Sequence, residues 1–322
     1  MRSLMLFMLL GLDLLSLAKV HGQAGYVDVP KEDAIECVLE FVECREAFKN
    51  YGCLSRVQSQ KLSKWSMVQA TWETIVFEDK TGRRRTDVKM SSLTQSVDGS
   101  DDLSTEYPVW TTYFEKEKKR FFENGVDIDA ANVNGLAQFH FVPDPWMAAI
   151  TEGELLALAQ GGDGNYWTKV LDESNLLWSE ENDQFLRGEW QFGTGEGKTY
   201  VQVYFQKEPH RLPVKVRYIV PHDWNQRFSE KGPVVTENEI DWRALDDGFV
   251  PTAIRCQRQD LWVGMPGVKF TSLRSTDMFW TTKLRDKDGM IVEDVFVPKK
   301  LTFDEVKSSF VIKSPKSPDL KK

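Results

Sequence analysis

Histidine is nearly missing from this chain, with 4 in 322 residues, and cysteine is equally scarce, with 4. Neither supply is arranged for zinc, since there is no C-x-x-C pair and His140, His210 and His222 stand far apart. No run approaches the ~20 consecutive apolar residues of a membrane helix. Positive charge is not in excess either: 41 Lys and Arg face 49 Asp and Glu, a net charge of −8. Electrostatic attraction to nucleic acid or to anionic membrane surfaces is thereby excluded. A G-x-S-x-G nucleophile elbow is absent. His140 alternates with Phe139 and Phe141, while His210 and His222 follow Pro209 and Pro221, so all three read as strand or turn residues instead of general bases.

Two motifs fail on inspection. In "GTGEGKT", Gly193 to Thr199, a phosphate loop would need Gly where Phe192 stands, and it would have to open a helix. Here Thr199 leads into the alternating "YVQVYF", so the stretch reads as a glycine-rich hairpin turn. "LRDKDGMIVED" carries Asp286, Asp288 and Gly289 like a calcium loop, but Leu284 and Val295 occupy its first and last ligand positions. No metal or cofactor is expected, and no catalytic group is legible.

What is present begins with a leader. Arg2, the apolar stretch Leu4 to Leu12 and the small residues Gly22 and Ala24 make residues 1–24 a secretory signal. A periplasmic or secreted protein without a transmembrane segment in the mature chain is expected. In such a compartment an even cysteine count favours bridges. Cys37 and Cys44 would lie about 10 Å apart on a helix and cannot bond each other. The expected pairing is therefore Cys44 with Cys53 and Cys37 with Cys256, against the alternative of four buried thiols.

"DVPKEDAIECVLEFVECREAF" reads as an amphipathic helix with Pro30 at its first position and Ile35, Val38, Leu39 and Val42 on one stripe. Strand-like segments follow. In "SMVQATWETIVFED" both alternating faces are partly apolar, so either could be covered. "RRRTDVKMSSLTQS", "YPVWTTYFEKEKKRFFENG" and "LAQFHFVP" continue the series. The basic runs Lys80 to Arg85 and Glu115 to Arg120 read as a hairpin tip and a solvated strand face. Short helices are expected from Thr151 and through "NYWTKVLDE". From Trp190 onward seven strand candidates, ending with "MIVEDVFVP", have the spacing of an antiparallel meander. Thr302 and Glu305 form a capping box for a last short helix, and residues 313–322 form a disordered tail.

The 11 Trp and 19 Phe are a generous aromatic supply. Trp72, Trp110, Phe139, Tyr204, Phe205, Tyr218, Trp242 and Trp280 all fall on strand candidates. A curved sheet could present them on one hollow face as walls for an acyl chain or another apolar or amphipathic small molecule; the competing reading is that they pack on helices.

"VQVYFQKEPHRLPVKVRYIV" resembles the strand, Leu-Pro turn and strand unit of the bacterial lipoprotein-carrier superfamily, the LolA and LolB-like proteins, and "EIDWRALDDGFVPTAIRCQ" resembles the pair that follows it. The resemblance implies an α+β fold, an open antiparallel half-barrel wrapped over an N-terminal helix and short inserted helices, with lipid held in its hollow. Residues 25–312 would form this single domain, with a helical insertion at about 143–180. Two other readings stay open: a glycan-binding or carbohydrate-active exported protein using exposed Trp and an acidic pair, and an envelope structural protein without a ligand.

Overall fold

The computed structural model describes residues 25–48, 50–62, 67–96, 107–115, 118–129, 145–146, 171–192, 198–208, 210–220, 234–246, 248–261, 269–282, 293–308 and 310. The leader, "LAQFHFVP", the helix expected from Thr151, the "DKDG" turn and the tail lie outside them.

Helix α1, Lys31–Glu46, has Glu32 and Asp33 in its first turn and Arg45 in its last, matching charge to the helix dipole at both ends. Pro30 holds the N-cap position, one residue earlier than expected. The fully buried stripe is Ala34, Cys37, Val38 and Phe41, while Leu39 is 49% exposed. The periodicity was right and the phase was off by about one residue, because the sheet takes the face bearing Phe41.

Among the described residues, fourteen strands form one open antiparallel sheet. In chain order they are β1 (Val27–Asp28), β2 (Tyr51–Leu62), β3 (Met67–Glu78), β4 (Arg84–Ser96), β5 (Val109–Glu115), β6 (Lys118–Glu123), β7 (Val126–Ile128), β8 (Leu176–Glu181), β9 (Phe185–Phe192), β10 (Thr199–Gln206), β11 (Pro213–Val220), β12 (Val234–Leu245), β13 (Gly248–Leu261) and β14 (Lys269–Thr281). Two meanders, β2–β7 and β8–β14, join where β14 pairs with β2, from Thr271 opposite Leu62 to Thr281 opposite Gly52. The pairing of Phe192 with Thr199 makes "GTGEGKT" the connection of a β9–β10 hairpin. Strand β2, with Ser, Arg, Gln and Lys among its residues, had no sequence signal beyond its neighbours. "YPVWTTYFEKEKKRFFENG" divides into the hairpin β5–β6.

Helix α1 packs on β8, β9 and β13 together. One buried core joins Ala34, Cys37, Val38 and Phe41 of α1 to every strand from β8 round to β3. The sheet is an open half-barrel whose inner face is the one bearing the helix. Strand alternation then assigns every residue to the inner or the outer face.

The outer face of β2–β4 is covered too. A 3-10 turn at Glu293–Phe296 and helix α2, Phe303–Lys307, bury Val295, Phe303 and Val306 against Leu54, Ile75 and Phe77. This explains why β3 is apolar on both faces. "MIVEDVFVP" thus contributes a helical turn, not a seventh strand. The capping box of Thr302 and Glu305 is present. Arg85, at the end of the hairpin tip, is buried instead of solvated: it pairs with Asp87 at 2.9 Å and donates to the carbonyls of Val295 and Leu301.

None of the four cysteines is in a disulfide, which corrects the expected bridges. Cys44 lies over β13, with Sγ 3.7 Å from the Phe249 carbonyl, whereas Cys53 is in β2 opposite Trp280. Two strand spacings, about 10 Å, separate them. Cys256 pairs in register with Asn238 and Arg274 in mid-sheet, away from the stretch of β11 start that Cys37 faces through Arg211. Burial pushes the Cys37 thiol up to about 12, so it acts as a small apolar side chain.

Candidate ligand-binding face

The inner face has two parts. Over β8–β14 it is filled by α1. Phe41, Phe48 and Tyr51 pack with Val201, Val203, Phe205, Ile254 and Met278 in one core that runs from β8 to β3. Trp146, from the expected insertion, closes this core: its ring centroid lies 4.3 Å from that of Trp280 and 5.1 Å from that of Tyr51. The end of that insertion is not helical, since Leu176–Glu181 is β8. Indole N–H groups are satisfied here by carbonyls: Trp242 donates to Pro213 at 2.7 Å, Trp280 to Pro251 at 2.6 Å and Trp146 to Phe249 at 3.4 Å. Trp190 is the exception; its ring lies over Gly188, where an added Cβ would come within 2.6 Å of the ring, and its Nε1 has no partner.

Over β2–β6 the inner face carries two further apolar clusters, Val57, Trp72, Val88 and Met90 in one and Trp110, Phe121 and Ile128 in the other. Neither contains a residue of α1. Between and beside them stand hydroxyls: Ser55 faces Thr74, and Thr86 faces Thr112, all buried. Lys119 lies across from Phe114, its Nζ 4.9 Å from the centroids of both Phe114 and Phe121. Loss of water beside these rings lowers the Lys119 pKa.

The residues expected to line the hollow divide accordingly. Phe205, Tyr218, Trp242 and Trp280 are on the inner face in the part filled by α1, so they are core there. Trp72 and Trp110 are on the inner face beyond it. Tyr204 cannot share a face with Phe205, its neighbour on the same strand, and it points outward, where Arg187 donates to its hydroxyl at 3.3 Å. Phe139 lies outside the described residues. Sequence reasoning missed Val88, Met90, Thr86, Thr112, Phe121 and Lys119. The signal that could have found them was the alternation Trp110, Thr112, Phe114 along one strand, with the "EKEKKR" run read as returning beside it.

The outer face of β8–β13 is polar. Trp178 and Gln202 donate to Glu189, Arg217 pairs with Glu237, and Lys215 bridges Glu237 and Glu239. Arg187, buried with Glu180 at 2.7 Å, lies 3.9 Å beneath the Tyr26 ring. A groove of about 590 Å³ opens over β12–β14 and β2–β4, lined by Gln58, Gln60, Gln69, Gln257, Thr71 and Ser92 among others, with no aromatic ring. It suits neither an acyl chain nor the ring stacking expected of an aromatic-lined sugar pocket. Among the described residues, no group of three or more His, Cys, Asp and Glu could hold a metal ion, and no helix is long and apolar enough to cross a membrane.

No protein-family model matches the chain, and no curated protein matches it. Similar solved structures include a DUF1329 family protein of Desulfovibrio piger, at 10% identity and a TM-score of 0.40, covering 81% of this chain and 98% of that one. An outer membrane lipoprotein-sorting protein domain from Vibrio parahaemolyticus has 9% identity and a TM-score of 0.41, covering 83% of this chain and 99% of its own. A LolA superfamily protein from Nitrosomonas europaea has 11% identity and a TM-score of 0.32, covering 80% and 99%.

Proposed function

We propose that this chain is an exported carrier that binds an apolar or amphipathic ligand, such as an acyl chain, on the inner face of its open sheet. The observation that carries this reading is the pair of apolar clusters around Trp72 and Trp110, on the inner face but outside the core that α1 completes. An acyl chain laid across them gains about 0.8 kcal/mol for each methylene removed from water. The carrier reading is preferred to a glycan-binding one because the described groove offers no ring on which a sugar could stack.

The test is displacement of a fluorescent fatty acid from the purified protein, together with native mass spectrometry after gentle purification. Saturable, displaceable binding that weakens when Trp72 is replaced by Ala is expected. If no acyl species co-purifies and no probe binds at micromolar concentration, the carrier reading is wrong.

A further inference from the structure

Three buried polar atoms on the inner face of β4 and β5 have no hydrogen-bond partner: Thr86 Oγ1, Thr112 Oγ1 and Trp110 Nε1. Thr86 and Thr112 are 0% exposed and Trp110 5%. Each such group is costly when left unsatisfied, and native interiors satisfy nearly all of them. Three together on neighbouring strands are what a site waiting for polar atoms looks like. Register brings them close, since Thr86 faces Thr112 across one ladder and Phe121 faces Thr112 across the next.

Beyond Thr112, toward Phe114, the unpaired charge is positive. Lys119 is one pair along β6 from Phe121, held against two rings, and none of the ion pairs among the described residues involves it. Arg84, facing Phe114 from β4, is already engaged by Glu78 at 2.5 Å. The acid on this face of β6 is Glu123, which faces Trp110 at the other end of the site, four residues and roughly 13 Å by strand rise from Lys119. An indole N–H and an ammonium can only donate, and a threonine hydroxyl can donate as well. The complementary head is thus rich in acceptors and negatively charged. A quaternary ammonium head, which aromatic rings would otherwise attract, is opposed by Lys119.

Resting on the carrier reading, we propose that the inner face of β4–β6 is the head-group site for an anionic amphiphile. Lys119 supplies the charge, Trp110, Thr86 and Thr112 supply hydrogen bonds, and the alkyl chain runs over Val88, Met90 and Trp72. Register supports this path: Trp110 faces Val88, and Met90 faces Trp72. The head's oxygens could belong to a carboxylate or to a phosphate monoester.

The experiment measures binding of four dodecyl probes to the full chain below their micelle concentrations: laurate, dodecyl phosphate, dodecyl maltoside and dodecyltrimethylammonium. At least one anion is expected to bind about tenfold more tightly than the maltoside, a difference of about 1.4 kcal/mol. Lys119→Met should bring the anions down to the maltoside's affinity, and Thr112→Val and Trp110→Phe should each weaken them severalfold. Lys118→Met, on the other face of β6, should leave all four unchanged. A preference between the two anions identifies the source, and equal binding supports the shared chemistry. Anions no tighter than the maltoside, a preference for the ammonium, or an unaltered Lys119→Met protein would overturn the head-group site while the carrier reading stood. Failure of all four probes would remove both.

Discussion

The two parts of the inner face are built from the same residue types and differ in how their polar atoms are treated. Under α1, Trp242, Trp280 and Trp146 each give their N–H to a backbone carbonyl. Over β4 and β5, Trp110 and two threonine hydroxyls give theirs to nothing. Aromatic content alone would have ranked the two regions equal. Hydrogen-bond satisfaction separates the indoles under α1, Trp190 apart, from the buried group over β4 and β5.

The comparison breaks most readily where packing is complete. Phe41→Ala should cost about 3–5 kcal/mol in denaturant melts, since Phe41 is 1% exposed and packs edge-on to Trp242 at 5.7 Å. A cost below about 1 kcal/mol would mean that α1 is not part of the core. Acid should loosen the same region next. Burial alone would raise the Glu78 carboxyl, but Arg84 and Arg45 overcome this and hold it below its ordinary 4.5. A depressed folded-state value contributes stability that is present above the ordinary value and lost as pH falls through the folded one. Stability should therefore drop below pH 4.5, and Glu78→Gln should flatten that drop in pH-dependent melts.

Smaller effects sharpen the contrast by their sign. Trp242→Phe removes a satisfied N–H and should destabilise by about 1 kcal/mol, apart from any loss of ring volume. Thr112→Val removes an unsatisfied hydroxyl at nearly constant volume and should leave the protein as stable or raise its Tm slightly. If both variants lose equal stability, the two regions are alike. The weakest signal is chemical: with its thiol pushed to about 12, Cys37 should resist thiol reagents at pH 8 in the folded protein and react on unfolding.

Much of this was readable in the sequence because it is local. The helix, the capping box at Thr302, the hairpin at "GTGEGKT" and most strands of the second meander depend on periodicity and turn chemistry within a few residues. Strand β2 was not readable, because "YGCLSRVQSQKL" alternates few apolar residues and is held in place by β14, more than two hundred residues away. The cysteine pairing failed for a related reason: an even count says nothing of register, and Cys44 lies over β13, two strands from Cys53 in β2. At the candidate site Trp72 and Trp110 were found by composition. Their polar neighbours were not, since a threonine in a strand looks the same whether or not its hydroxyl has company.

A sheet that never closes on itself has two free margins, and among the described residues these are β1, two residues long, and β7, three. Such stubs give a stranger's backbone too few rungs to climb, although Val27 and Val126 on them are well exposed. The sheet can thus stay open without inviting a second copy to stitch itself onto the hem.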